Sequence, residues 1–379
     1  MNTSINLSRK HIVHVAGIRL TRETGMGRIA CEWRDAFVRR GYRFSHVGLD
    51  EVPIATHITL WQRQARAWIA RQGWNLNDPL WLVHEAGGGV FTSANRRTCI
   101  FSHGIERRGR ELAKPPHGNL RQTLKSFLTR PLWLRYNRDT DCGLRRAWRV
   151  IVSNSEDAQY AREVYGRSSG NVWIFKNGVD LVDSPAANFR TTRPKILFVA
   201  TWFPRKGIDL IMQAAESLYL SGQRPQWVLA GVGVTTSKVI ESFPSQLRDD
   251  ITVIQKFLRA DESSLFADAD IFVLPTFFEG QSLALLQAMA HGLCCITTDC
   301  CGQKDIIKHG INGLLFPSGD IKAFVGCLHS ALSDLEKRKT LGRAAAASVA
   351  DREWTRVGDE LVDWFEQEIG SDGRNFFPR

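Results

Sequence analysis

The 379-residue chain reads as two α/β units, each a doubly wound parallel sheet. Three observations predict this. Short apolar runs alternate with longer amphipathic stretches along most of the chain, the pattern of strands followed by crossover helices. The pattern breaks at a polar, proline-bounded stretch over 188–194 and restarts with a strand. The length exceeds what one hydrophobic core usually fills. These place a first domain over 1–185 and a second over 190–354. The two are expected to face a cleft, with ligands at the carboxyl ends of their strands.

In the first half, residues 11–15 are the opening strand, and a loop over 16–24 leads to Gly25, Gly27 and a helix through Arg40. Gly41 and Tyr42 close that helix, and 43–47 form the second strand. An amphipathic helix is expected over 58–72, followed by a strand over 80–84. Another strand, 99–101, runs into Ser102, His103 and Gly104. A basic helical segment then extends to Trp148, and 149–153 form a further strand.

The second half starts with a strand over 195–199, a loop over 201–207 and a helix over 208–219. Strands at 226–230, 251–254, 271–274 and 293–298 continue the pattern. Residues 352–369 form the last helix, with Trp354, Val357, Leu361, Trp364 and Phe365 along one stripe. This helix, about 355–379 with its tail, is expected to pack back on the first domain.

Residues 276–290 carry the strongest local signal. An apolar strand hands over to Glu279, Gly280, Gln281 and Ser282, and a helix begins at Leu283 and stops at Gly292. Ser282 suits the helix N-cap. Backbone N–H groups and the positive end of the helix dipole point outward at such a terminus, which suits an anion; the pyrophosphate of a nucleotide comes first. A carboxylate there would repel phosphate unless it served something else, such as a sugar hydroxyl, and this gives Glu279 a role.

Hydrophobic residues make up 43% and charged residues 23%, as in a soluble globular protein. No run approaches the roughly 18 apolar residues of a membrane span. The polar residues 1–10 contain no apolar signal region, so a cytoplasmic location is expected. Eight cysteines include the pairs Cys294-Cys295 and Cys300-Cys301. Their spacing is not that of a metal site, and 293–297 reads as a buried strand.

The net charge of +11 is uneven. Residues 1–150 hold 26 Lys/Arg against 11 Asp/Glu, and the remainder 24 against 28. Arg107, Arg108, Arg110, Lys114, Arg121, Lys125, Arg130, Arg135, Arg138, Arg145, Arg146 and Arg149 interleave with Leu124, Phe127, Leu128, Leu132, Trp133, Leu134 and Trp148. Basic residues with Trp and Leu at helical spacing suit an anionic membrane surface at the inner membrane face. That reading is preferred to a nucleic-acid partner and stands beside that of a solvated helical face.

Four motifs carry a resemblance. Pro204-Arg205-Lys206-Gly207 follows the second unit's first strand, and Glu279-Gly280-Gln281-Ser282 follows a later one. Gly302 with Asp305-Ile306-Ile307 precedes Gly310-Ile311-Asn312-Gly313-Leu314-Leu315, and Asn177-Gly178-Val179-Asp180 lies at the junction. In order and spacing these resemble the retaining nucleotide-sugar glycosyltransferases of the GT-B fold, two Rossmann-like domains facing a cleft, and family four (glycosyltransferase group 1) in particular. The resemblance covers about residues 150–320. In the looser N-terminal half, Gly25 and Gly27 are similar to the family's glycine loop, and His103 lies where the family keeps a His near the catalytic centre.

The resemblance implies a glycosyltransferase that moves a hexose from a nucleotide sugar to a glycan or lipid-linked acceptor, with retention, in surface polysaccharide assembly. It implies catalytic roles for His103, Arg205, Lys206 and Glu279. It implies donor contacts from Gly25, Gly27, Thr201, Gly280, Gln281, Ser282, Leu283 and Gln287. The family's second carboxylate is replaced by Gln287, which would face the ribose, and an Arg usual near the basic loop is replaced by Ala200 and Thr201. No cofactor or metal is expected. Asp268-Ala269-Asp270 has a metal-binding spelling but sits at a strand start, so fixed cations and a helix dipole are expected to neutralise the leaving diphosphate. A catalytically silent relative that binds a nucleotide sugar, and an epimerase of the same architecture, are the alternatives.

Overall fold

A computed structural model describes residues 10–54, 57–73, 80–92, 97–112, 120–182 and 189–371, the side chains of 120–129 and 371 excepted. Lys114, Asn188, the start at 1–9 and the tail beyond 371 lie outside the described residues. So do the side chains of Arg121, Leu124, Lys125, Phe127 and Leu128.

The chain forms two compact units. One runs to Lys176 and resumes at Thr355; the other is Asn177–Trp354. The division falls upstream of the polar stretch at 188–194.

The first unit holds six parallel strands: β1 (His11–Val15), β2 (Arg43–Val47), β3 (Leu80–His84), β4 (Thr98–Phe101), β5 (Arg149–Val152) and β6 (Val172–Ile174). They lie in the order β2-β1-β3-β4-β5-β6. β1, β3, β4 and β5 are buried almost throughout, which is why they are rich in apolar residues. The crossover α1 (Gly25–Arg39) begins behind Thr24, whose side chain accepts the Gly27 N–H at 3.2 Å. The helix expected over 58–72 begins later. Ile58–Leu60 is a 3-10 turn, and α2 spans Trp61–Arg71. The His57 ring accepts the Thr59 N–H at 3.3 Å and closes the tight turn, while β-branched Ile58 and Thr59 disfavour an α start. The basic segment forms α3 (Glu106–Leu112) and α4 (Leu120–Arg146), which continues through Pro131. α5 (Ser155–Tyr165) follows β5 and leads to β6 before the crossing.

The second unit is also wholly parallel: β7 (Lys195–Val199), β8 (Gln226–Ala230), β9 (Ile251–Ile254), β10 (Ile271–Leu274), β11 (Cys294–Thr298) and β12 (Leu314–Phe316). The order β12-β11-β10-β7-β8-β9 is that of a dinucleotide-binding sheet. Its helices are α6 (Ile208–Leu220), α7 (Thr236–Ile240), α8 (Arg259–Ala267), α9 (Leu283–Ala290), α10 (Cys301–Ile306), α11 (Ile321–Ser333) and α12 (Leu335–Val349). Cys294 and Cys295 are buried in β11.

The last helix, α13 (Trp354–Ser371), packs within the first unit. Trp364 stacks on Trp173 with centroids 4.9 Å apart, and Phe365 meets Phe37 edge-on. Glu366 accepts from Lys10 and Arg40 at 2.9 Å each. Gly358 lets the helix approach α1 closely, since a Cβ there would crowd Ala36.

Candidate functional site

In each sheet the crossovers run one way from the first strand and then the other way, leaving a switch point beside it. Ligands of such sheets bind outside the carboxyl ends of the strands at that point. In the second unit the point lies between β7 and β10. The loops leaving those two strands are 200–207 and 275–282, the two segments singled out by the sequence.

The first loop makes a 3-10 turn over Pro204–Lys206 and ends at Gly207 with φ +75°. That backbone region favours glycine, and a Cβ would also collide with the Pro275 carbonyl. The second loop is tied to the first. The Arg205 carbonyl accepts the Phe277 N–H at 2.9 Å and the Thr276 hydroxyl at 3.0 Å. Gly280 is fixed from another side, its carbonyl accepting the Gly302 N–H at 3.0 Å. A side chain at Gly302 would push into that carbonyl.

Lys206 and Glu279, 73 residues apart, form a direct ion pair. Both side chains are largely shielded from solvent. Arg205 is exposed, with its guanidinium 5.9 Å from the centre of the Phe278 ring. Thr201 is also exposed in this loop. Ser282 caps α9, its hydroxyl accepting the Leu285 N–H at 3.3 Å. The N–H groups of Leu283 and Ala284 at the start of α9 precede the first helical bond, from the Leu286 N–H to the Ser282 carbonyl, and face the terminus. Two cations, a carboxylate and a helix N-terminus therefore stand together, the elements needed to hold a diphosphate and a hydroxylated group side by side.

Gln281 and Gln287 take more structural positions than the sequence suggested. The Gln281 side chain accepts the Asn177 N–H at 2.5 Å and Arg352 at 3.2 Å, and its carbonyl accepts from the Asn177 amide at 2.9 Å. Gln287 is 3% exposed, and its Nε2 donates to Asp180 Oδ2 at 3.1 Å. Arg259 Nη2 reaches both oxygens of Asp180 at 2.9 Å. Sequence reasoning quoted Asp180 within a motif without a role and missed Arg259. No local signal links residues 79 and 107 positions away.

Asp268 and Asp270 lie at the opposite, amino end of β10. Asp270 is fully buried and accepts from the backbone N–H groups of Arg190 and Lys195. Asp268 pairs with Arg190 and Lys195. Both carboxylates hold the entry to β7. Among the described residues, no group of three or more His, Cys, Asp or Glu is arranged to hold a metal ion.

His103, Gly25 and Gly27 belong to the first unit. Gly27 is required by packing, since a Cβ would strike the Thr21 carbonyl; Gly25 is exposed at the start of α1. His103 follows β4 among Trp33, His84 and Phe101. Burial, with the neighbouring His84, lowers its pKa to about 3, so the ring is neutral and offers hydrogen bonds rather than charge. Nearby, burial and Glu106 raise the Glu85 carboxyl well above its usual range. Sequence reasoning passed over Glu85.

Residues 182–348 match the family described as glycosyl transferases group 1. The matched stretch of the second unit is similar to these glycosyltransferases, and the chain has the GT-B fold of two Rossmann-like domains. It is similar to the Escherichia coli UDP-Gal:alpha-D-GlcNAc-diphosphoundecaprenol alpha-1,3-galactosyltransferase, 27% identical over 201 residues, 49% of this chain and 51% of that one. The chain thus spans about half the length of the curated relatives it matches. Among solved structures, the sucrose-phosphate synthase from Thermosynechococcus elongatus superposes with a TM-score of 0.75 at 17% identity, covering 96% of this chain and 100% of that one. WaaG, a glycosyltransferase involved in lipopolysaccharide biosynthesis, gives 0.70 at 14% identity, covering 93% and 98%. At these identities the two structures speak for the fold alone.

Proposed function

We propose that the protein transfers a hexose from a nucleotide sugar to a glycan or lipid-linked acceptor, with retention and without a metal, in surface polysaccharide assembly. The observation that carries the reading is the meeting of Lys206, Glu279, Arg205 and the α9 terminus at one switch point. The name of the Escherichia coli relative, which pairs a UDP-sugar with a lipid-diphosphate acceptor, supports the substrate classes.

The reaction breaks the bond between the anomeric carbon and the diphosphate. Negative charge grows on the leaving diphosphate and positive charge on the sugar ring. Arg205, Lys206 and the N–H groups of α9 take the first; Glu279 holds sugar hydroxyls and favours the second. Lys206, paired with Glu279, turns to the phosphates of the donor. Among the described residues no helix is long and apolar enough to cross a membrane. Contact with an anionic surface falls to α4, where Trp133 and Leu134 are 40% and 61% exposed beside exposed Arg130, Arg135 and Arg138.

The test is turnover of UDP-, GDP- and ADP-sugars by the full chain with isolated lipid-linked acceptor. We expect one donor to turn over, an α-linked product from an α-linked donor, and no loss of rate with chelator. Glu279→Gln should lower kcat by about 100-fold or more while the nucleoside diphosphate still binds. Binding of a nucleotide sugar without turnover would support the silent relative instead.

A further inference from the structure

The carboxylate that faces outward beside α9 is Asp180. Its side chain is 43% exposed, whereas Gln287 is 3% exposed with its amide directed at Asp180 Oδ2. Asp180 is held from two sides. Arg259 Nη2 bridges both its oxygens, and Gln287 Nε2 adds a third hydrogen bond. An ionised carboxyl has about four acceptor sites, so Oδ1 keeps one outward. The segment bearing it is also fixed. Asn177 is pinned to Gln281 by two hydrogen bonds, and the Val179 N–H donates to the Arg352 carbonyl at 2.8 Å. An oriented, partly exposed carboxylate is thus placed about one turn along α9 from the terminus that suits a diphosphate.

In a nucleoside diphosphate, the group next to the phosphates is the ribose. Its vicinal hydroxyls are donors that a carboxylate accepts strongly, and nucleotide-binding sheets of this order commonly use an acidic residue for this contact. We infer that Asp180 is the carboxylate that takes the ribose hydroxyls of the donor, and that Gln287 is its positioning residue rather than the ribose contact. The inference rests on the reading of the second unit as a nucleotide-sugar site. The amide at 287 matches its neighbour. A carboxylate in its place would stand hydrogen-bond distance from Asp180 and leave two like charges to share Arg259.

The experiment is calorimetric titration of the full chain with UDP, GDP and ADP, then with the 2′,3′-dideoxy form of whichever binds. Wild type should prefer the ribonucleotide by about tenfold or more. In Asp180→Asn that preference should fall to within about twofold, with dideoxynucleotide affinity unchanged, which also shows that the variant is folded. Gln287→Ala should reduce the preference, Gln287→Glu should reduce it further, and Asp180→Glu should restore part of it relative to Asp180→Asn. Glu279→Gln should leave it intact. A full ribose preference in Asp180→Asn, or a gain on Gln287→Glu, would overturn the inference and leave the nucleotide-sugar reading standing. Failure of wild type to bind any of the three nucleotides would remove both.

Discussion

Asp270→Ala separates a structural carboxylate from a metal ligand. The Asp270 side chain is fully buried and accepts three hydrogen bonds: Arg190 N–H at 2.5 Å, Lys195 N–H at 2.7 Å and Arg190 Nη1 at 3.0 Å. Its removal strips the partner from two backbone donors, Lys195 at the start of β7 and Arg190 ahead of it, and from a guanidinium that is one-third exposed. Breaking a buried charged pair typically costs about 3–5 kcal/mol, and the partial hydration of Arg190 puts this case near 3. In a unit of this size about 1 kcal/mol moves the midpoint by about 2–4 °C, so the second unit's transition should fall by about 6–12 °C. Asp268→Ala should change it by less than about 1 kcal/mol, because that carboxylate is 59% exposed. The assay is differential scanning calorimetry with Mg²⁺, with Mn²⁺ and with chelator. An Asp270→Ala midpoint equal to wild type, or a wild-type midpoint that rises with metal and falls with chelator through these two residues, would refute the reasoning.

Two further predictions concern the first unit. His103, at about 3, takes no proton in the folded state above that pH, while the unfolded chain takes one below about 6.5. Its contribution is therefore complete above about pH 6.5 and is lost as pH falls toward 3, at about 1.4 kcal/mol per pH unit. His14 and His84 are lowered by burial and act in the same direction, while Glu85, raised by burial, opposes them as pH rises from the carboxylate range. Urea unfolding from pH 4.5 to 7.5 should show His103→Gln with a shallower acid limb, and an identical slope would disprove the assignment. For the membrane contact, replacing Arg130, Arg135 and Arg138 with Gln should weaken sedimentation with phosphatidylglycerol vesicles by about 100-fold, at about 1 kcal/mol per charge. Equal binding of wild type to neutral phosphatidylcholine would exclude that role for α4.

The parts of the fold that were legible are those whose signal is local. β1, β3, β7 and β10 are buried apolar runs, and Gly207 and Gly292 mark places where the backbone turns through positive φ. β6 and β12 were not read as strands, because each has only three residues and is defined by pairing to β5 and β11 rather than by its composition. The stacked rings of the first unit were hidden for a similar reason. His14 faces His46 because the register of β1 on β2 aligns them, 32 residues apart. His46 Nε2 meets the Ile18 carbonyl at 3.3 Å, which can only accept, so Nε2 donates and His46 Nδ1 accepts the hydrogen bond from His14 Nδ1–H at 2.8 Å. That assignment follows from partners alone, and no spacing in the sequence announces it.

The candidate site shows the same division. The basic loop and the carboxylate loop were each readable from a strand end, a glycine and a helix cap. Their meeting was not, because 73 residues separate Lys206 from Glu279. The topology supplies the reason. From β7 the chain builds β8 and β9 outward on one side, then returns to place β10 against the other side of β7. First and fourth strands become neighbours, and the loops that leave them must share one space. Asp180 joins the same neighbourhood by a third route, as the segment that enters the unit before β7 and is clamped to Gln281 and Gln287. A sequence window sees three unrelated polar clusters. The sheet order makes them one site, so the residues best able to test the function are those that long-range pairing, and not any local motif, sets beside α9.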